Sequence, residues 1–351
     1  MQSSLTPQPL AYLMRYHREL FVDPLFWTSR HLGLVGCRFK LLESTEYTQD
    51  NTDVHQAQNN NNNNNNNNDT HEFSDTSHEL VRVPLLPLSD PERFAKNRAP
   101  LMKLSTLYRI LEYEGGPFEE HRKKGPKFFF SGQEIHRPKS VVFGRRKQAS
   151  QPPLDDDSQI LVGYFDYTWA ICGRKDKFQA RSHPGNGNNA PVGRLYQKRL
   201  AQITPTNWQE DPYFVCILLS IAQLQERSLT TKDRKTHTSR LLVAKWQDCE
   251  FIHLYEAQFT SELLEAIKNP KNATTYTNWP TITQKKIPFK PFDTFRQRLV
   301  AELLLPANQD GPIASDIKGG DVDVTFPAKR PHEQGEEMRI VRRKVDMGCG
   351  D

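Results

Sequence analysis

Asp248, Glu256 and Gln258, with Lys245 close by, form the best catalytic constellation in the sequence. Nucleases of the PD-(D/E)XK class place an acid on one strand and an acid-x-lysine on its neighbour, holding a divalent metal beside a phosphate. Here the second element reads Glu256-Ala257-Gln258, with glutamine where that chemistry has lysine. No Pro-Asp precedes the first acid, and Asp248 falls in a predicted turn. The competing reading is a hairpin with solvated polar groups. A second chemistry lies in residues 121–147, where Lys123, Lys124, Lys127, Arg145, Arg146 and Lys147 flank Phe128-Phe129-Phe130. Cations displace phosphate counterions and aromatic rings stack on bases, so this mixture suits nucleic acid. Its alternative is a basic connector whose Phe128 and neighbouring rings plug into a core. Asp166, inside an aromatic run, is a candidate for a carboxylate with a shifted pKa. His253 has no second histidine at ligand spacing, so it reads as a packed side chain and no metal site is predicted.

These residues need elements to hold them. Residues 160–172 read as a long apolar strand, residues 173–176 as a turn and residues 177–181 as a returning strand. Asp211-Pro212 is a helix start, because aspartate caps free amides and proline at the first position loses no hydrogen bond. The helix that follows, from residue 212 to about 227, has almost no polar face and must be central. Residues 241–246 and 251–257 form a predicted hairpin. Thr260 caps a short helix that Pro270 stops, residues 282–287 form another strand, and Asp293 or Thr294 caps a last amphipathic helix ending near Leu305. Hairpins with helices between them indicate an α+β fold.

Upstream, residues 9–22 carry Leu10, Leu13, Met14 and Leu20 at helical spacing, ended by Asp23-Pro24. Residues 80–88 read as a short strand and residues 90–114 as one helix stopped by Gly115-Gly116-Pro117. The resulting organisation has five parts. Residues 1–43 are an N-terminal helical segment docking on the core, and 44–79 are a disordered insertion with asparagine at every position from 59 to 68. Residues 80–158 are a helix plus basic segment and linker, 159–305 are the core, and 306–351 are a polar tail.

The chain has 351 residues, a hydrophobic fraction of 36% and a formal net charge of +5. Its mean hydropathy is −0.72. No run approaches the ~18–20 consecutive apolar residues of a membrane span, and residues 1–13 lack the pattern of a secretory leader. Five dispersed cysteines argue for reduced thiols, with Cys216 and Cys249 read as small hydrophobes in apolar surroundings. An intracellular chain is expected, which makes the sequon at Asn272 irrelevant. Lys329-Arg330 and Arg342-Arg343-Lys344, eleven residues apart, resemble a bipartite nuclear localisation signal and imply an importin partner. No phosphate-binding glycine loop, paired CxxC, HExxH or GxSxG elbow is present, and no cofactor is indicated.

Three strings carry a family resemblance: Asn207-Trp208-Gln209-Glu210-Asp211-Pro212-Tyr213-Phe214-Val215, Phe251-Ile252-His253-Leu254-Tyr255 and Ile287-Pro288-Phe289-Lys290-Pro291-Phe292. They resemble an uncharacterised filamentous-fungal family of hypothetical proteins, over roughly residues 159–305. The resemblance implies a source kingdom and a domain boundary but no activity. The expectation is therefore a nuclear or nucleocytoplasmic interaction or scaffold protein with a protein partner. The alternatives are a divergent metal-dependent nuclease at Asp248 and Glu256, or nucleic-acid binding through residues 121–147.

Overall fold

A computed structural model describes residues 8–42, 88–146, 160–179, 189–228 and 236–306. In chain order these give α1 (Leu10–Tyr16), α2 (Ser29–Val35), β1 (Arg38–Leu41), α3 (Asp90–Lys96), α4 (Pro100–Leu111), β2 (Phe118–Arg122), β3 (Phe128–Phe130), β4 (Gln133–His136) and β5 (Val141–Arg145). Then follow β6 (Leu161–Asp166), α5 (Thr168–Phe178), α6 (Ala190–Ile203), α7 (Tyr213–Ser228), β7 (Thr236–Ala244), β8 (Phe251–Thr260), α8 (Ser261–Lys268), β9 (Thr281–Pro288) and α9 (Phe295–Leu304).

The sheet is mixed and ordered β1-β9-β8-β7-β6-β5-β2, with β3 and β4 forming a separate hairpin. Helices and a mixed sheet together make an α+β fold. Side chains alternate across the strands. Leu241, Val243, Tyr255 and Phe259 meet α7 on one face. Leu242, Ile252 and Leu254 meet Phe94 of α3, Leu107 and Ile110 of α4, and Leu299 and Leu303 of α9 on the other. The α7 sequence is apolar all round because it is covered all round: thirteen of its sixteen residues are buried. Its polar Gln223 clamps the small hairpin, donating to the Phe129 carbonyl at 2.8 Å and accepting from the Phe129 amide at 2.9 Å. That hairpin turns on Ser131 and Gly132, both at positive φ (52° and 74°), the backbone that a two-residue turn between twisted strands requires.

Several expectations hold and several change. The hairpin of β7 and β8, the helix capped by Thr260, the strand at 281–288 and the α7 start at Asp211 are all present. The long strand over 160–172 is not: β6 stops at Asp166 and residues 168–178 are α5. The reason is local, since the Asp166 carboxylate accepts the Thr168 amide at 2.9 Å and starts a helix whose apolar residues mimic a strand. The chain then returns through α6 and α7 to β7, which lies parallel to β6. The single helix over 90–114 is two, broken by Pro100 at the head of α4. Residues 9–22 hold only the short α1 and a turn of 3₁₀ helix. Cys249 is exposed, while Cys216 is buried.

The core is also wider than residues 159–305. β2 and β5 belong to the same sheet, and β1 pairs in parallel with β9. The strand expected at 80–88 and the asparagine run lie outside the described residues, as do nearly all of residues 44–79 and 306–351. No helix of the described residues is long and apolar enough to cross a membrane.

Candidate functional site

Three elements bring chemistry together at one end of the sheet. β5 and β6 are antiparallel, with Val141 opposite Tyr164, so the start of β5 lies beside the end of β6. β2 runs antiparallel to β5 and places Arg122 against Val142, which brings the next residues, Lys123 and Lys124, to the same end. The first turns of α4 cover the gap. Between them lies a cavity of about 340 Å³.

Its parts are chemically distinct. Lys123, Lys124, Arg137 and Lys139, all exposed, stand at its mouth. Lys123 makes only a distant pair with Glu120, at 4.0 Å, and is 82% exposed, an arrangement worth little in water. Arg137 approaches Glu134 at 3.8 Å, and the Lys139 ammonium sits 5.0 Å from the Trp169 ring centroid. Leu101, Leu104, Val141 and Trp169 supply an apolar wall. Ser140, Tyr164 and Asp166 supply a buried polar floor.

Packing at the mouth depends on Gly125. A Cβ there would stand 2.2 Å from the Pro138 carbonyl oxygen and 2.6 Å from Ser140 Oγ. Gly125→Ala should therefore force the Lys123–Lys124 turn away from the start of β5, costing about 2 kcal/mol. Urea denaturation checks this as a lower midpoint at unchanged slope.

The floor is electrostatically unusual. Burial raises the Asp166 pKa above its ordinary value, against the opposing effects of Thr168 and Lys103. Burial, reinforced by Asp166, pushes the Tyr164 phenol well above its ordinary value. Beneath them Lys103 of α4 is fully buried, its ammonium 3.5 Å from the Lys245 carbonyl and 5.2 Å from the Phe94 ring centroid. Burial lowers its pKa, opposed first by Asp166. A lysine whose folded pKa lies below its unfolded value destabilises the fold as pH drops from the unfolded pKa through the folded one. Lys103→Met keeps the length and removes the buried amine, so it should stabilise the protein by about 1 kcal/mol. The gain should shrink above pH ~10.5, where the unfolded lysine loses its proton. Thermal unfolding at two pH values measures both.

The sequence-predicted catalytic set does not assemble. Asp248 reaches the Tyr255 face of the sheet, where Oδ2 meets His253 Nε2 at 2.8 Å and Oδ1 accepts from the Phe251 amide at 2.9 Å. Burial opposes its charge, but His253 and the turn amides hold its pKa below the ordinary value. Glu256 points to the opposite face, pairing with Arg240 at 2.6 Å, and Arg240 also donates to the Leu303 carbonyl at the end of α9. The two carboxylates cannot share a metal, and among the described residues no group of three or more His, Cys, Asp or Glu is placed to hold one. Gln258 lies opposite Thr238 on β8, and the Lys245 ammonium rests 5.0 Å from the Trp208 ring centroid. His253 is fully buried between Asp248 and Gln284, a packed histidine.

The basic candidates divide between two places. Lys123 and Lys124 reach the cavity, while Lys127 pairs with Glu134. Phe128 is buried against Trp27, so it is a core residue and not a stacking platform. Arg145 and Arg146 lie at the far end of β5, about 13 Å along the strand from the cavity. Arg146 approaches Glu119 at 3.7 Å. Lys147 and the tail cluster of Lys329, Arg330, Arg342, Arg343 and Lys344 lie outside the described residues. Sequence reasoning singled out Asp166 and held Arg137 and Lys139 within the basic segment 121–147, but it missed Lys103, Ser140 and Tyr164. The usable signal was Lys139-Ser140 leading into one strand and Asp166 closing the next, which an antiparallel pair must juxtapose.

Compared with protein-family models, curated proteins and solved structures, the chain matches none.

Proposed function

We propose that this chain is a nucleic-acid-binding protein whose contact surface is the mouth of the β5–β6 cavity. One observation carries the reading: four exposed cations from two separate segments converge on a cavity whose lining contains a single carboxylate, Asp166. Such a mouth attracts polyanions, and an adjoining apolar wall suits the alternating charged and flat parts of a nucleic acid. The reading keeps the expected non-enzymatic interaction protein and names nucleic acid as the partner. A protein partner remains a separate expectation, and nuclear entry and an importin contact are expectations carried by the tail.

Metal-assisted cleavage on the acid and acid-x-lysine plan has less support. In the cavity lining Asp166 shares its place with Lys139 and Ser140 and no second carboxylate, and threonine stands two residues beyond it in the chain.

The test is binding of the full chain to single- and double-stranded oligonucleotides across a salt series, by fluorescence anisotropy. Affinity for a single strand should fall with a log–log slope of about −2.8 if all four cations neutralise phosphates. Binding that is absent, or indifferent to salt, refutes the proposal. Magnesium-dependent cleavage lost in Asp166→Asn would replace it with a nuclease centred on Asp166.

A further inference from the structure

The cavity floor holds polar atoms that the protein itself leaves unsatisfied. Asp166 Oδ2, Tyr164 Oη and Ser140 Oγ have no hydrogen-bond partner among the described residues. Their residues are 1%, 3% and 4% exposed. Buried polar atoms are nearly always paired, and leaving one unpaired is costly. Three in one cavity, two on β6 and one just before β5, are a cluster awaiting a ligand with several polar atoms of its own.

The rest of the cavity limits what that ligand is. A bare phosphate would be satisfied at the cationic mouth and has no use for the apolar wall of Leu101, Leu104 and Trp169. A carboxylate on the floor would also repel it. A phosphopeptide would place phosphate at the mouth, but the floor would then receive a side chain of no set shape. A nucleobase is flat and apolar on its faces, polar along its edge, and tied to a phosphate at the distance of a sugar. Volumes of about 300 Å³ and above are those of small-ligand pockets.

We infer that the cavity takes one unstacked base of a single strand, edge down on Ser140, Tyr164 and Asp166, while the flanking phosphates lie on Lys123, Lys124, Arg137 and Lys139. The inference rests on the nucleic-acid reading above and adds a base-reading pocket to it. Taking a base out of its stack is easiest in single strands and at strand ends. The protein should therefore prefer those over duplex.

The test uses the full chain and two single-stranded probes of roughly a dozen residues, one carrying bases and one built of abasic sugar-phosphate units. The wild type should bind the abasic probe about tenfold more weakly, with an unchanged salt slope. Tyr164→Phe combined with Asp166→Asn should bind the base-bearing probe about tenfold more weakly than wild type, and should no longer distinguish the two probes. Tyr164→Phe alone removes one hydroxyl and keeps the ring, so it reports on the floor if the double variant fails to fold. Equal binding of both probes by wild type, or unaltered discrimination in the variants, overturns the base pocket while leaving backbone binding intact. No binding of either probe overturns both readings, and binding of a phosphopeptide alone assigns the mouth to a different polymer.

Discussion

Arg174→Met should destabilise the protein by about 3–5 kcal/mol. The reason is Asp211, which is completely buried and saturated with donors. Arg174 approaches it with two nitrogens, Nη1 at 2.6 Å from Oδ2 and Nη2 at 2.7 Å from Oδ1. The Tyr167 hydroxyl donates to Oδ2 at 2.8 Å, and the Tyr213 amide at the start of α7 donates to Oδ1 at 2.9 Å. Arg174 Nε completes the knot by donating to the Leu25 carbonyl at 2.9 Å. Burial works against the Arg174 charge, and the bonds and charge of Asp211 outweigh it, leaving its pKa above the ordinary value. Methionine in its place would strand a carboxylate in the core. Pairing Arg174→Met with Asp211→Asn removes that charge and keeps a competent cap, so the double variant should recover part of the loss. Chemical denaturation of the three variants forms the cycle. A single-variant cost below about 1 kcal/mol would mean that the pair is not what holds α5, α7 and the 24–26 turn together.

The second large effect concerns the cavity mouth. Replacing Lys123, Lys124, Arg137 and Lys139 together by glutamine should nearly abolish the salt dependence of single-strand binding. For the wild type, four neutralised phosphates correspond to a fall in affinity of about 50-fold between roughly 50 and 200 mM salt. The variant should be weak at both concentrations and should barely change between them. All four side chains are exposed, so the fold should not suffer. Arg145→Gln with Arg146→Gln is the control, removing two cations at the other end of β5. If the control loses as much as the mouth variant, binding is diffuse attraction to a basic segment and the cavity plays no special part.

The sequence reveals the parts of this fold that depend on local chemistry. Asp211-Pro212 starts α7, Thr260 starts α8, and the apolar run of α7 announces a central helix, because each signal lies within a few residues of its effect. It conceals what depends on distant partners. The residues after Asp166 are aromatic and apolar enough for a strand; the local bond from the Thr168 amide to Asp166 opens a helix there, and the distant partner Asp211 anchors it through Arg174. That misreading also hid the site, since a strand continuing to residue 172 leaves Asp166 in mid-strand rather than at the edge of a cavity. Lys103 was illegible for a similar reason. A lysine on a helix normally faces water, and its burial follows from sheet topology that spacing alone does not encode.

The parallel pairing of β1 with β9 bears on how the chain is made. Cys37, just before β1, bonds to the Pro280 carbonyl across 243 positions. At a synthesis rate of ~5–20 residues per second, the partner of β1 emerges roughly 10–50 s later. Through that interval the ribosome-bound chain carries β1 without its partner strand. Among the described strands β1 is thus the earliest to be synthesised, and its pairing must wait for the last. Chains arrested before residue 281 should call on chaperones far more than full-length ones.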